Sequence, residues 1–115
     1  MSRSRTETLE FSTIAFLLAS ETRRRTLSRL RTVGRTTTRD LGHHLAAIER
    51  GIDFADLEAA EGPRTVTIEL HHDHLPRLDE HGVVEYDSAE SQVETGPNFE
   101  EVAPIVQRFE RTDSR

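Results

Sequence analysis

Cysteine, lysine and tryptophan are all missing from this chain of 115 residues. Without cysteine there is no disulfide framework, no thiolate metal ligand and no thiol nucleophile. Aromatic residues are scarce, five Phe and one Tyr, and only 34% of the chain is apolar. That composition allows one domain with a modest core, which would gain from a partner subunit. Long hydrophobic runs are absent as well. The longest, Ile14 to Ala19, is far short of the roughly 20 residues that cross a bilayer. The opening stretch, MSRSRTETLEF, holds no apolar segment of the signal-peptide kind. The expectation is a cytoplasmic protein with no membrane partner. Sequence signals for catalysis are missing too: there is no Gly-rich phosphate loop, no nucleophile elbow and no HExxH. Ser, His and Asp occur without any spacing that would bring them together. The chain therefore reads as a non-enzyme, with no cofactor and no small-molecule ligand implied.

What is present begins with charge. All fifteen basic residues are Arg, set against 21 Asp and Glu, for a net charge of −6. An acidic, lysine-free chain is the composition of a high-salt cytoplasm or a GC-rich genome. In dilute buffer such a charge opposes nucleic-acid binding. In molar salt the Debye length falls to about 3 Å, and local contacts outweigh net charge.

The stretch from Arg64 to Asp87 organises the rest. An amphipathic helix runs to Gly82, which sits where a helix C′ glycine belongs. A strand follows at once, with Val84 and Tyr86 on one face. Ser88 to Ser91 form a polar turn, and a second strand centres on Gln92 to Glu94. A helix feeding directly into a hairpin is the layout of a winged helix-turn-helix: mainly α, with a small β-hairpin.

Taken in order, residues 1–8 read as a flexible N-terminus. A first helix over Leu9–Ala19 carries Phe11, Ile14, Leu17 and Leu18 as its apolar stripe. Ser20 caps a second helix, Glu21–Val33, with Leu27 and Leu30 inward and Gly34 at its end. Arg23, Arg24 and Arg25 in its first turns read as a solvated face rather than as phosphate contacts, although Arg near a helix N-terminus opposes the dipole and needs another partner. Arg35–Thr38 forms a short strand that joins the wing. Thr37 and Asp40 start a helix in capping-box fashion, with Leu41, Leu45 and Ile48 inward as far as Arg50. The connection Gly51–Pro63 is long for this motif, and Ile52, Phe54 and Leu57 imply a helical turn at Phe54–Ala60. Pro63 opens the key helix.

That helix carries a conflict of phase. With Leu75 and Leu78 inward at about 100° per residue, Thr67, Ile68, His71 and His74 fall on the core side, and Val66 and Leu70 fall nearly opposite. The insert Ile52/Phe54/Leu57 is the expected cover for the last two. Pro76 removes one backbone bond and predicts a kink. After Gly96-Pro97, Asn98 caps a last helix with a stripe of Phe99, Val102, Ile105, Val106 and Phe109, which Pro104 interrupts. Residues 98–111 close the domain at 9–111 and leave 112–115 as a tail.

His71 and His74, one turn apart, are the spacing for a shared metal. Both are placed on the core side, where packing histidines outnumber ligands, so no metal site is expected. The exposed side of the key helix is Thr65, Glu69, His72, Asp73 and Arg77. Thr, His and Arg suit DNA, and Glu69 or Asp73 could accept only from a cytosine amino group. Arg39 and Arg77 are the expected phosphate contacts, Thr65 and His72 the expected base contacts. Glu85, Asp87, Glu90 and Glu94 make the wing acidic.

The string from His74 to Asp87, HLPRLDEHGVVEYD, resembles the HLPKLxxxGVVEYD signature of a haloarchaeal winged-helix family related to ArsR-type regulators. Ala19 to Leu30 is similar to that family's LSxxRRR helix, and Thr36 to Leu41 to its TTxRDL start of helix two. The resemblance spans most of residues 14–95. It implies a winged-helix fold, a transcriptional role and double-stranded DNA as partner. ArsR-type proteins dimerise through terminal helices, which fits the apolar stripes at both ends of this core-poor chain; the expectation is a homodimer with Leu17, Phe99, Val102, Ile105, Val106 and Phe109 as its contacts. Their cysteine metal ligands have no counterpart in this chain. The rival expectation, favoured by the acidic helix and wing, is a winged helix that binds protein and not DNA.

Overall fold

The computed structural model describes residues 9–50 and 62–113. The expected turn at Phe54–Ala60, and the cover expected from Ile52, Phe54 and Leu57, lie outside the described residues. The element order is α1 (Phe11–Leu18), α2 (Glu21–Val33), β1 (Arg35–Thr37), α3 (Thr38–Arg50), α4 (Gly62–Glu69), a π-helical turn (Leu70–His74), α5 (Leu75–Glu80), β2 (Val84–Asp87), β3 (Gln92–Thr95) and α6 (Phe99–Asp113). The fold is mainly helical with a three-stranded antiparallel sheet in the order β1-β3-β2, the arrangement of a winged helix. Thr36 pairs with Val93, and Val93 with Tyr86, so the short strand before α3 closes the wing as the sequence predicts.

Local signals account for the boundaries. Ser20 Oγ accepts the Arg23 N–H at 3.2 Å and starts α2. Thr37 Oγ1 accepts the Asp40 N–H at 3.1 Å and starts α3. α5 ends in a Schellman motif: Val83 N–H donates to Leu78 O at 3.0 Å and Gly82 N–H to Asp79 O at 2.9 Å. Gly82 has φ +74°, open to glycine at little cost, and Val83 packs back beside Leu78, both fully buried. Asn98 does something other than cap α6. Its Nδ2 donates to His81 O at 2.9 Å, which satisfies the end of α5, and its Oδ1 is buried without a hydrogen-bond partner.

The core draws Leu17 and Leu18 from α1, Leu27 and Leu30 from α2, Leu41 and Leu45 from α3, and Val84 and Val93 from the sheet. Phe99, Val102 and Val106 of α6 belong to it too. Four of the expected dimer contacts, Leu17, Phe99, Val102 and Val106, therefore lie inside this chain's own core and present no surface. A 3.6-residue stripe shows that a face is covered, and does not say by which chain. Ile105 is half-buried and Phe109 is exposed. Phe11 is 83% exposed and Ile48 45%, so both leave the inward stripes assigned to them. The described residues also lengthen α6: Arg111–Asp113 are helical, where a tail was expected from 112.

The Arg cluster of α2 is not a solvated face. Arg23 is only 7% exposed. Its Nε donates to Leu17 O at 2.7 Å and one Nη to Phe16 O at 3.0 Å. Arg24 donates to Leu18 O at 2.7 Å. These carbonyls are among the last of α1, where the helix runs out of its own N–H donors; Phe16 O accepts in addition the Ala19 N–H, at 3.3 Å. Two guanidinium groups from the start of the next helix supply the missing donors. Only Arg25 behaves as expected, in an exposed pair with Glu21 at 2.7 Å.

Candidate nucleic-acid interface

Residues 62–80 run on as a single helix whose middle turn is π-helical. Leu75 N–H donates to Leu70 O, five residues back, and the flanking residues keep right-handed helical angles. A π turn inserts one residue and so shifts phase by about 100°. This resolves the conflict read from the sequence. Leu70 is fully buried, and Val66 packs against the core. Ile68 is 52% exposed and His71 is exposed, so both leave the core side to which an ideal helix assigns them. Pro76, just after the turn, has no N–H to donate and needs room from the carbonyl four residues back, which a wider turn provides.

The inner side of α4 is held against α3. A Cβ on Gly42 would stand 2.2 Å from Thr67 Oγ1 and 3.2 Å from Pro63 O, so the two helices meet where α3 has no side chain. Thr67 Oγ1 is bonded to Pro63 O at 2.7 Å within that contact. The outer side is uncovered: Arg64, Thr65, Ile68, Glu69 and His72 are all exposed. The structure thus places Thr65 and His72 on one open face, with Arg64 and Ile68 between and beside them at four-residue spacing. Neither Arg64 nor Ile68 was among the sequence-expected contacts. The clash between Pro76 and the phase of Leu70 was the signal that could have found Ile68.

Arg77 is exposed but engaged. Its Nε lies 2.5 Å from Asp73 Oδ1, and its guanidinium sits 5.4 Å from the centre of the Phe16 ring. Arg23 stacks on the same ring at 5.2 Å. The hydrogen bond from Arg77 is the largest influence on the Asp73 carboxyl and holds it below its ordinary range. Arg39 is exposed in the first turn of α3, and its carbonyl accepts from His43 Nδ1 at 2.9 Å.

His74 is half-buried, and Arg23 donates to its Nδ1 at 3.2 Å. Burial is the main cause that pushes His74 below its ordinary pKa; nearby Asp73 raises it and Arg23 lowers it. The ring is therefore neutral at pH 7, and its 4.0 Å approach to Asp73 is not an ion pair there. His71 turns instead to the wing, with Nδ1 2.5 Å from the Tyr86 hydroxyl. The two histidines have separate partners. Among the described residues, no group of three or more His, Asp or Glu is placed to hold a metal.

On the wing, Glu94 lies 3.6 Å from Arg35, while Glu85, Asp87 and Glu90 are exposed. No helix among the described residues is long and apolar enough to cross a membrane.

These features define a small winged-helix domain with an open outer face on its long helix. Residues 16–94 match the model of a family described as a domain of unknown function, DUF7344, and the chain belongs to that family. The match covers α1 from Phe16 through most of β3 and stops short of α6. No curated protein and no solved structure matches the chain.

Proposed function

We infer that this chain binds double-stranded DNA as a transcriptional regulator and acts as a homodimer. The observation that carries the reading is the open outer face of α4. Arg64, Thr65, Ile68, Glu69 and His72 are exposed, while the opposite side of the same helix is locked on Gly42 of α3 and on the core. A helix held rigidly from behind and exposed along its N-terminal turns is what enters a major groove. Thr65 and His72 are the base contacts, and Arg39 is a phosphate contact from the helix that crosses the backbone. Arg77 reaches a phosphate only by exchanging Asp73 for it. Among the described residues of the two terminal helices, Phe11, Phe16, Ile105 and Phe109 are large apolar side chains that offer surface to a second copy.

The acidic wing favours a second reading, a winged helix that docks on another protein. Fluorescence anisotropy with fragments from the upstream region of the protein's own gene, across a salt series reaching molar KCl, separates the two. Arg39→Ala should weaken cognate and random duplexes alike and reduce the salt slope by about one. His72→Ala should cost about 1–3 kcal/mol on the cognate site alone. Light scattering of the same samples gives the mass. Absence of binding at every salt would transfer the assignment to the protein-docking reading.

A further inference from the structure

We propose that Ile68 reads thymine in the major groove by contact with the 5-methyl group, which makes this chain's preferred site one with thymine at a defined position under α4. The inference rests on the DNA reading and adds to it what the site selects. Among the described residues of the long helix, Ile68 is the exposed large apolar side chain, at 52%. The π turn puts it there by rotating the α4 face about 100° relative to α5. Its helical neighbours one turn away are Arg64 and His72, and Thr65 and Glu69 lie beside it, all exposed.

That setting decides between occupants. A protein partner would need a contiguous apolar patch, and the neighbours of Ile68 on its own helix among the described residues, Arg64, Thr65, Glu69 and His72, are all polar or charged. Phe11, Phe16, Val33, Ile48 and Phe109, the other exposed large apolar residues among the described ones, belong to other elements. A base edge offers the matching pattern: one methyl group on thymine, flanked by hydrogen-bonding groups and an anionic backbone. Arg64, exposed in the first turn of α4, gives that end of the helix the positive charge that the backbone requires. Glu69, next to Ile68, accepts from a cytosine amino group on a neighbouring pair. The expected preference is therefore a thymine adjoining a cytosine, not a run of guanines.

The test begins with a duplex selected from a random library by the full chain in molar KCl. Each thymine of the selected site is then replaced by uracil, one at a time, which deletes only the methyl. Wild type should lose about fourfold in affinity at one or two positions, the value of one buried methyl. Ile68→Ala should bind the thymine and uracil versions of those positions equally, and Ile68→Val should keep part of the difference. Ile68 is exposed, so its variants should melt with wild type, and circular dichroism checks this. A wild type indifferent to every uracil replacement, or a loss that persists in Ile68→Ala, overturns the inference and leaves DNA binding standing. A wild type that selects no duplex overturns the DNA reading itself and this assignment with it.

Discussion

Arg23→Met removes the clamp that joins α1, α2 and the long helix. Arg23 donates to Leu17 O at 2.7 Å and to Phe16 O at 3.0 Å and contacts His74. Leu17 is fully buried, so its carbonyl finds no water when the guanidinium goes. Leaving a buried acceptor without a donor costs about 1–3 kcal/mol, and a hydrogen bond from a charged group contributes about 1.5–3. Phe16 is half-exposed and its carbonyl can be rehydrated, so the second bond counts for less. Met retains most of the apolar packing of the stem. The sum is a loss of about 2–4 kcal/mol. For a chain of this length, with about 2.1 cal/mol/K of unfolding entropy per residue, that is a fall in Tm of about 8–16 °C. Arg23→Lys should fall between, since an ammonium cannot fork across two carbonyls. Arg25→Met is the matched control: its pair with Glu21 is exposed, and about 0.5 kcal/mol or less should be lost. Urea unfolding in high salt, followed at 222 nm, measures all three. A value for Arg23→Met within 0.5 kcal/mol of Arg25→Met would refute the assignment of Arg23 as the cap of α1.

Leu70→Ala should cost about 2–5 kcal/mol, as for a fully buried Leu, whereas Ile68→Ala should leave stability within about 0.5 kcal/mol of wild type; equal losses would mean that the π turn does not set the phase of α4. Burial holds the folded-state pKa of His74 and of His44 below the ordinary value near 6.5, with Arg29 also acting against protonation of His44. The unfolded chain then binds protons first as pH falls, so stability should be full above the ordinary histidine range. It should decline as pH drops below about 6.5 and level off below the folded pKa values. Urea midpoints from pH 8 to pH 5 test this, and a flat profile in wild type, or the same slope in His74→Gln, would remove His74 from the account.

Much of the fold was legible because it is written in local signals. Ser20, Thr37, Gly34 and Gly82 mark helix ends through the conformations and hydrogen bonds open to those side chains, and each stands at its expected place. The alternation of Val84 and Tyr86, with Val93 opposite, defines the wing, and even the small partner strand Arg35–Thr37 could be read from its β-branched residues. Hydrophobic periodicity likewise located α1, α2, α3 and α6. Such signals act over four or five residues and depend on nothing elsewhere in the chain.

Tertiary structure decided whatever depends on which surface meets which. Periodicity marked Phe99, Val102 and Val106 as an apolar face, but packing against this chain's own α2, rather than against a second chain, is a property of the assembled core. The destination of Arg23 was hidden because its acceptors are backbone carbonyls, which every residue carries and no sequence pattern displays. The outward turn of Ile68 was hidden for a related reason. An ideal helix advances by a constant angle, and the single extra residue of the π turn is inserted where Leu70, Leu75 and Leu78 can all be buried at once. The gain from burying a third leucine outweighs the poorer hydrogen bonding of one wide turn, and that balance exists only when the core is present to receive it.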